Sequence, residues 1–413
     1  MIVKEVVVAR VKRGVCWLIA ATALLFSVLC FVPGSRQREI FPYEELCDYR
    51  AFIRSSIDSE IPYEPRDIEL HDACYPPIAY LAVNFMASDC GVKWELSVGE
   101  KRLIGSIFLL QCVGIFLLVS RMRCPVMRVL AAVVAIMSPA CLCPLLRGNP
   151  SGWAFALVCV FLFWYRSEDG VKRFVAALSL GAATALKISP CIFGVLYLSE
   201  IAGGWRKLPV AEIAASAGAA ILLVFVPFAF YGGAEAIPKW IANASANAAH
   251  YSTAEPTWGF AALANHLIDT SKPDLACARW FALATQVFAL LLVCMAPFAG
   301  KVRHRLLFIG AAMAFLTHHD YGGAYLIPAF VAWLDERDDT CSGVCLLLEA
   351  AGWFFVLTPL QIPDPCFESW SMNVMLQSEF LVVLIVCCLA SAFRAPASEP
   401  TCRSSVCAGA ASI

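Results

Sequence analysis

Charge is what this sequence has least of. Only 15% of its 413 residues are Asp, Glu, Lys or Arg, against 60% hydrophobic, and a chain so composed has too little polar surface to cover a soluble domain. The charge that exists nearly cancels, to −1, and no basic stripe gathers it, so nucleic acid is excluded as a partner. Despite 20 cysteines, no zinc-like spacing occurs, and no metal site is expected. No tandem repeat is visible, which sets aside solenoids and arrays.

What is present is a series of apolar runs, near 14–33, 102–119, 124–143, 150–165, 172–186, 188–203, 208–231, 279–299, 303–317, 321–334, 342–360 and 374–394. Each is long enough to cross a membrane, or nearly so. The expected fold is all-α: a polytopic transmembrane helical bundle of about 12 crossings. Several runs are only about fifteen residues long, and neighbouring short runs are read as partial helices buried in protein. Most of the cysteines, such as Cys141 with Cys143 and Cys387 with Cys388, lie inside these runs and serve as small packing groups.

The first run follows Lys4, Arg10, Lys12 and Arg13, and it has no small-residue cleavage site before Arg36-Gln37-Arg38. It reads as a retained helix, with a cleaved signal peptide as the alternative. Placing this basic start in the cytoplasm and alternating sides puts Arg121, Arg123, Arg128, Arg166, Lys172, Arg173, Arg206, Lys207, Lys301, Arg303 and Arg305 inside, as the positive-inside rule requires. The bookkeeping holds only if Pro76 to Ala87 is a short helix lying on or dipping into the outer face rather than a crossing. Residues 1–396 are then one integral membrane domain, with 34–101 a non-cytoplasmic loop carrying short helices and 397–413 a disordered cytoplasmic tail.

The outer loop is the chain's most distinctive segment. Between Gly34 and Asp72 carboxylates outnumber Lys and Arg about two to one, with aromatics and prolines interspersed, and a polar loop of that length in an apolar chain is usually functional. Cys47, Cys74 and Cys90 fall here and allow either one disulfide or free thiols. Asn243-Ala244-Ser245 is an outward sequon, of consequence only in a glycosylating compartment.

On this topology the unusual polar motifs share one face: Asp48, Arg147-Gly148-Asn149-Pro150, Leu186-Lys187-Ile188-Ser189-Pro190 and Thr317-His318-His319-Asp320-Tyr321. Ionisable groups at membrane depth default to function. Each motif also has a plainer reading. Lys187 fits a snorkelling lysine and Arg147 a helix anchor, while Asp48, like Asp58, Asp67 and Asp72, fits a solvated surface charge. Adjacent histidines point in different directions on a helix, so His318 and His319 do not make a complete metal site. Together, a carboxylate, cations and histidines on one face suit group transfer from a lipid phosphate. The leaving phosphate needs a nearby cation and the incoming hydroxyl a base. A lipid or solute transporter or flippase is the alternative on composition; it places polar sites at the midplane between repeats.

The order of motifs resembles glycosyltransferase family 87, multi-pass C-type enzymes that use polyprenyl-phosphate sugars. The residues carrying the resemblance are Asp48-Tyr49, Phe52, Pro62-Tyr63 and Tyr75-Pro76-Pro77, then Gly148-Asn149, Lys187 with Pro190, and Thr317 to Tyr321. Thr317 stands where the family usually has a proline before its late histidine, and Glu255-Pro256-Thr257 precedes Trp258-Gly259-Phe260. The resemblance implies an inverting hexosyltransferase, most often a mannosyltransferase, with Asp48 as general base. Arg147 and Lys187 would hold the donor phosphate, and His318, His319, Asn149, Tyr63 and Tyr75 would bind substrate. It implies no cofactor beyond the polyprenyl-phosphate sugar donor, a lipid or glycan acceptor, and a site on the non-cytoplasmic face, expected here in a bacterial plasma (inner) membrane.

Overall fold

The computed structural model describes residues 2–31, 74–86, 97–202, 209–254, 275–317, 320–336, 343–358 and 371–392. Among the described residues there are helices and no strands. In chain order they are α1 (Ile2–Phe31), α2 (Pro77–Met86), α3 (Val98–Ser120), α4 (Pro125–Met137), α5 (Pro139–Arg147), α6 (Ser151–Trp164), α7 (Gly170–Leu186) and α8 (Val195–Ala202). There follow α9 (Val210–Phe225), α10 (Ala236–Ala254), α11 (Leu275–Met295), α12 (Val302–Thr317), α13 (Ile327–Asp335), α14 (Gly343–Leu357) and α15 (Ser371–Ala392). Tighter 3-10 segments at Ser189–Gly194, Val226–Phe230 and Asp320–Leu326 lead into α8, end α9 and lead into α13.

Every apolar run of the sequence but one coincides with one of these helices or with a helix joined to a 3-10 segment. Among the described residues three helical stretches, Val98–Ser120, Val210–Phe230 and Trp280–Phe298, are by themselves long and apolar enough to cross a membrane. The run at 124–143 is not one continuous helix. Ser138 is extended (φ −66°, ψ 146°) and Pro139 opens α5, because a proline ring drives the residue before it out of the helical region. Cys124 before Pro125 does the same at the start of α4.

Helix ends follow local chemistry. Ser97 and Glu100 close a capping box at the start of α3, satisfying two orphan N–H groups reciprocally. Asp169 caps α7 by accepting from Val171 N at 2.9 Å.

α6 and α7 are antiparallel neighbours. A five-residue turn joins α6 to α7, which pack side by side, so the start of α6 and the end of α7 lie at one end of the bundle. α3 packs alongside α6 closely enough that a Cβ on Gly114 would meet Ala156 Cα at 3.1 Å, the close approach that small residues permit in helix bundles. The short α2 is tucked among α3, α7 and α9 with Ala79, Tyr80 and Val83 fully buried.

The other end of the bundle is held by ions. Arg303, only 4% exposed, pairs with Glu349 at 3.3 Å and with Glu336 at 3.2 Å. Its Nε donates to His304 Nε2 at 3.2 Å, and Trp333 Nε1 donates to Glu349 at 2.7 Å. Lys12 of α1 is buried and donates to the carbonyls of Trp333 and Glu336, capping the C-terminus of α13 where a cation is favoured. One member of the basic start, Lys12, is therefore interior.

Candidate active site

The site end begins at the junction of α5 and α6. Gly148 has φ +66° and terminates α5, a left-handed conformation that glycine adopts without a Cβ penalty. That reversal delivers Asn149, fully buried, to the position just ahead of α6. Its Oδ1 accepts from Ser151 N at 2.8 Å, and its Nδ2 donates to Tyr75 Oη at 2.8 Å. Two residues nominated by the sequence are thus in direct contact. Arg147, the last residue of α5, is half-buried beside them in sequence.

Lys187 follows the last residue of α7 in extended conformation (φ −154°, ψ 123°), and its Nζ is shielded from solvent. Pro190, two residues into the next 3-10 segment, forbids continuation of the helix there. The segment Ser189–Gly194 packs against α6 and α12, and α5 packs against the segment Asp320–Leu326. The Tyr325 ring joins these elements: it meets Phe155 of α6 edge-to-face at 6.0 Å and Phe193 at 5.8 Å. The junctions that follow Arg147, Lys187 and Thr317 are in this way drawn around one buried aromatic.

Asp48, Tyr63, His318 and His319 lie outside the described residues, as do Cys47 and Cys90. Cys74 is partly buried. Asn243 of the sequon is in α10 and only 8% exposed. Among the described residues no group of three or more His, Cys, Asp or Glu has the arrangement of a metal site.

Several contributors were not legible in the sequence. Trp240 Nε1 donates to Cys74 O at 3.1 Å, and Asn84 Nδ2 donates to Tyr231 Oη at 3.4 Å, so α10 and the end of α9 hold the segment carrying Tyr75. Gln111 of α3 is 3% exposed, and its amide lies 3.2 Å from where a Cβ of Gly152 would stand. The signals available were a tryptophan in a polar helix and a lone amide within an apolar run; neither reveals which face it occupies.

Chemically, this end offers cations, Arg147 and Lys187, near neutral hydrogen-bonding groups, Asn149, Tyr75, Ser151 and Gln111. Cations of this kind suit a phosphate and the neutral groups suit hydroxyls. No curated protein and no solved structure matches the chain. The sequence pattern of glycosyltransferase family 87 matches residues 74–318, a stretch that takes in Tyr75, Arg147, Asn149 and Lys187 and ends on His318, while Asp48 and Tyr63 precede it. The match extends over more than half of the 413 residues, and the chain belongs to glycosyltransferase family 87.

Proposed function

We propose that this glycosyltransferase transfers a hexose, in the first instance mannose, from a polyprenyl-phosphate donor to a hydroxyl of a lipid or glycan acceptor, with inversion. The observation that carries the reading is the gathering of Tyr75, Asn149 and the junction bearing Lys187 at one end of an apolar helix bundle. A lipid-linked donor presents its phosphate at the end of an apolar tail, and such a bundle offers cations at the matching position.

In this mechanism Asp48 accepts the proton of the acceptor hydroxyl as that oxygen attacks the anomeric carbon. The bond from that carbon to the phosphate oxygen breaks, and Arg147 and Lys187 stabilise the phosphate released. His318 and His319 orient substrate, with Tyr63 and Tyr75 contributing aromatic surface. The chain crosses the membrane about twelve times as one domain over residues 1–396, with the 34–101 loop and the site on the non-cytoplasmic face of a plasma membrane.

The test is direct. Purified protein in lipid vesicles, given radiolabelled polyprenyl-phosphate mannose and a panel of lipid and glycan acceptors, should form labelled product. Asp48→Asn keeps shape while deleting the basic oxygen, so turnover should fall by roughly 10²- to 10⁴-fold with donor binding retained. Asp72→Asn, on the same loop, should turn over like the parent. An active Asp48→Asn beside a dead Asp72→Asn would move the base to Asp72, and activity in both would remove support for the mechanism.

A further inference from the structure

Hydroxyl groups inside this bundle mostly satisfy themselves locally. Ser106, Ser138, Ser179, Thr184, Ser199 and Thr285 each donate to a carbonyl three or four residues back. Ser151 is different. As the first residue of α6 it has no preceding helical turn, and its Oγ, in a side chain 2% exposed, meets no hydrogen-bond partner among the described residues. The same holds for Gln111 Nε2, which faces the bare Cα of Gly152, the residue after Ser151. Ser189, two residues past Lys187, carries a third such group.

Depth makes these groups expensive. Gln111 stands thirteen residues into α3, or about 20 Å along its axis, where its amide lies level with Gly152 in the first turn of α6. A polar group without a partner in such a place is costly and calls for an explanation. The polar groups here are an amide, a serine hydroxyl and, one residue away, the Asn149–Tyr75 pair. All are neutral. A phosphate would need a cation, which Arg147 and Lys187 supply on neighbouring junctions, whereas a serine hydroxyl that donates and accepts beside an amide N–H complements a sugar hydroxyl.

We propose that Gln111 Nε2 and Ser151 Oγ bind a hydroxyl of the transferred hexose, and that this pair sets which sugar epimer the enzyme accepts. The inference rests on the transferase reading above and names the part of that site that reads the sugar. It uses no charge and leaves the phosphate to the cations.

The experiment compares the parent, Ser151→Ala and Gln111→Met, full length in lipid vesicles, with polyprenyl-phosphate mannose, glucose and galactose and with deoxy-mannose donors. Deleting an unmatched hydroxyl removes no hydrogen bond within the protein, so Ser151→Ala should melt at or above the parent's temperature. Its kcat/KM for the preferred epimer should nonetheless fall about tenfold, with the poorer epimers changed less than about twofold. One deoxy donor, lacking the hydroxyl that is read, should be used equally by parent and variant. Gln111→Met should shift discrimination the same way. An active parent whose epimer preference is unchanged in both variants, or changed only between acceptors, overturns the inference alone. Equal losses across all epimers also overturn it, by marking the residues as structural. A parent inert with every lipid-linked hexose overturns the transferase reading, and this inference with it.

Discussion

Asn149 shows what one side chain does at the site. Its carboxamide spans two elements, accepting from the first turn of α6 and donating to Tyr75 ahead of α2. The sequence nominated both residues by motif order, but their contact joins positions 74 residues apart, and no local pattern encodes a pairing at that distance. Lys187 was nominated by its charge between two apolar runs, and the structure adds a shielded Nζ. A phosphate at low dielectric needs a nearby cation, and either Lys or Arg supplies one. Lys187→Ala should therefore weaken donor use by at least tenfold while Lys187→Arg retains most of it, read as KM and kcat on protein whose melting is unchanged. Normal donor kinetics in both variants would leave Lys187 as a snorkelling side chain.

Among the helices, small residues decide how closely neighbours approach. A Cβ on Gly181 of α7 would stand 2.4 Å from Ser216 O and 2.7 Å from Ala219 Cβ of α9, and one on Gly310 of α12 would stand 2.5 Å from Tyr325 O. These neighbours include backbone, which cannot rotate away. Gly181→Ala and Gly310→Ala should each destabilise the protein by about 1–3 kcal/mol. Gly105→Ala, with nothing within 4 Å of the new methyl, should be neutral or stabilising by up to about 1 kcal/mol. Thermal unfolding in detergent is the measurement, and equal melting of all three would remove these two contacts as determinants of packing. Gly310→Ala should also reduce activity, since it displaces the segment carrying Tyr325. The proline breaks at 125 and 139 were readable because they act on the adjacent residue; the tight glycines were not, because their constraint comes from another helix.

Across the whole molecule, the two ends differ in their chemistry. The end opposite the candidate site ties α1, α12, α13 and α14 through Lys12, Arg303, Trp333 and Glu349. Arg303→Met would strand a buried carboxylate and should cost about 3–5 kcal/mol. Adding Glu349→Gln, which keeps an acceptor for Trp333, should recover much of that loss; a double variant no more stable than the single one would show that the pair is not coupled. Sidedness is tested separately. An introduced Ser59→Cys, in a background lacking other accessible thiols, should react with an impermeant reagent in intact cells, and protection until lysis would invert the topology.

Apolar content and its periodic interruption by charge determined the helical class and the position of the apolar helices, though not the polar α10 (Ala236–Ala254), because burial of apolar surface and backbone satisfaction act through the composition of each segment. Motif order gave the family and nominated Tyr75, Arg147, Asn149 and Lys187. Tertiary structure alone decided that Asn149 meets Tyr75, that Lys12 is a buried cap on α13, and that Gln111, Ser151 and Tyr325 lie at the end of the bundle that carries the candidate site. These facts depend on which helix faces meet, and facing is set by packing between segments far apart in the chain, a property that no single segment carries.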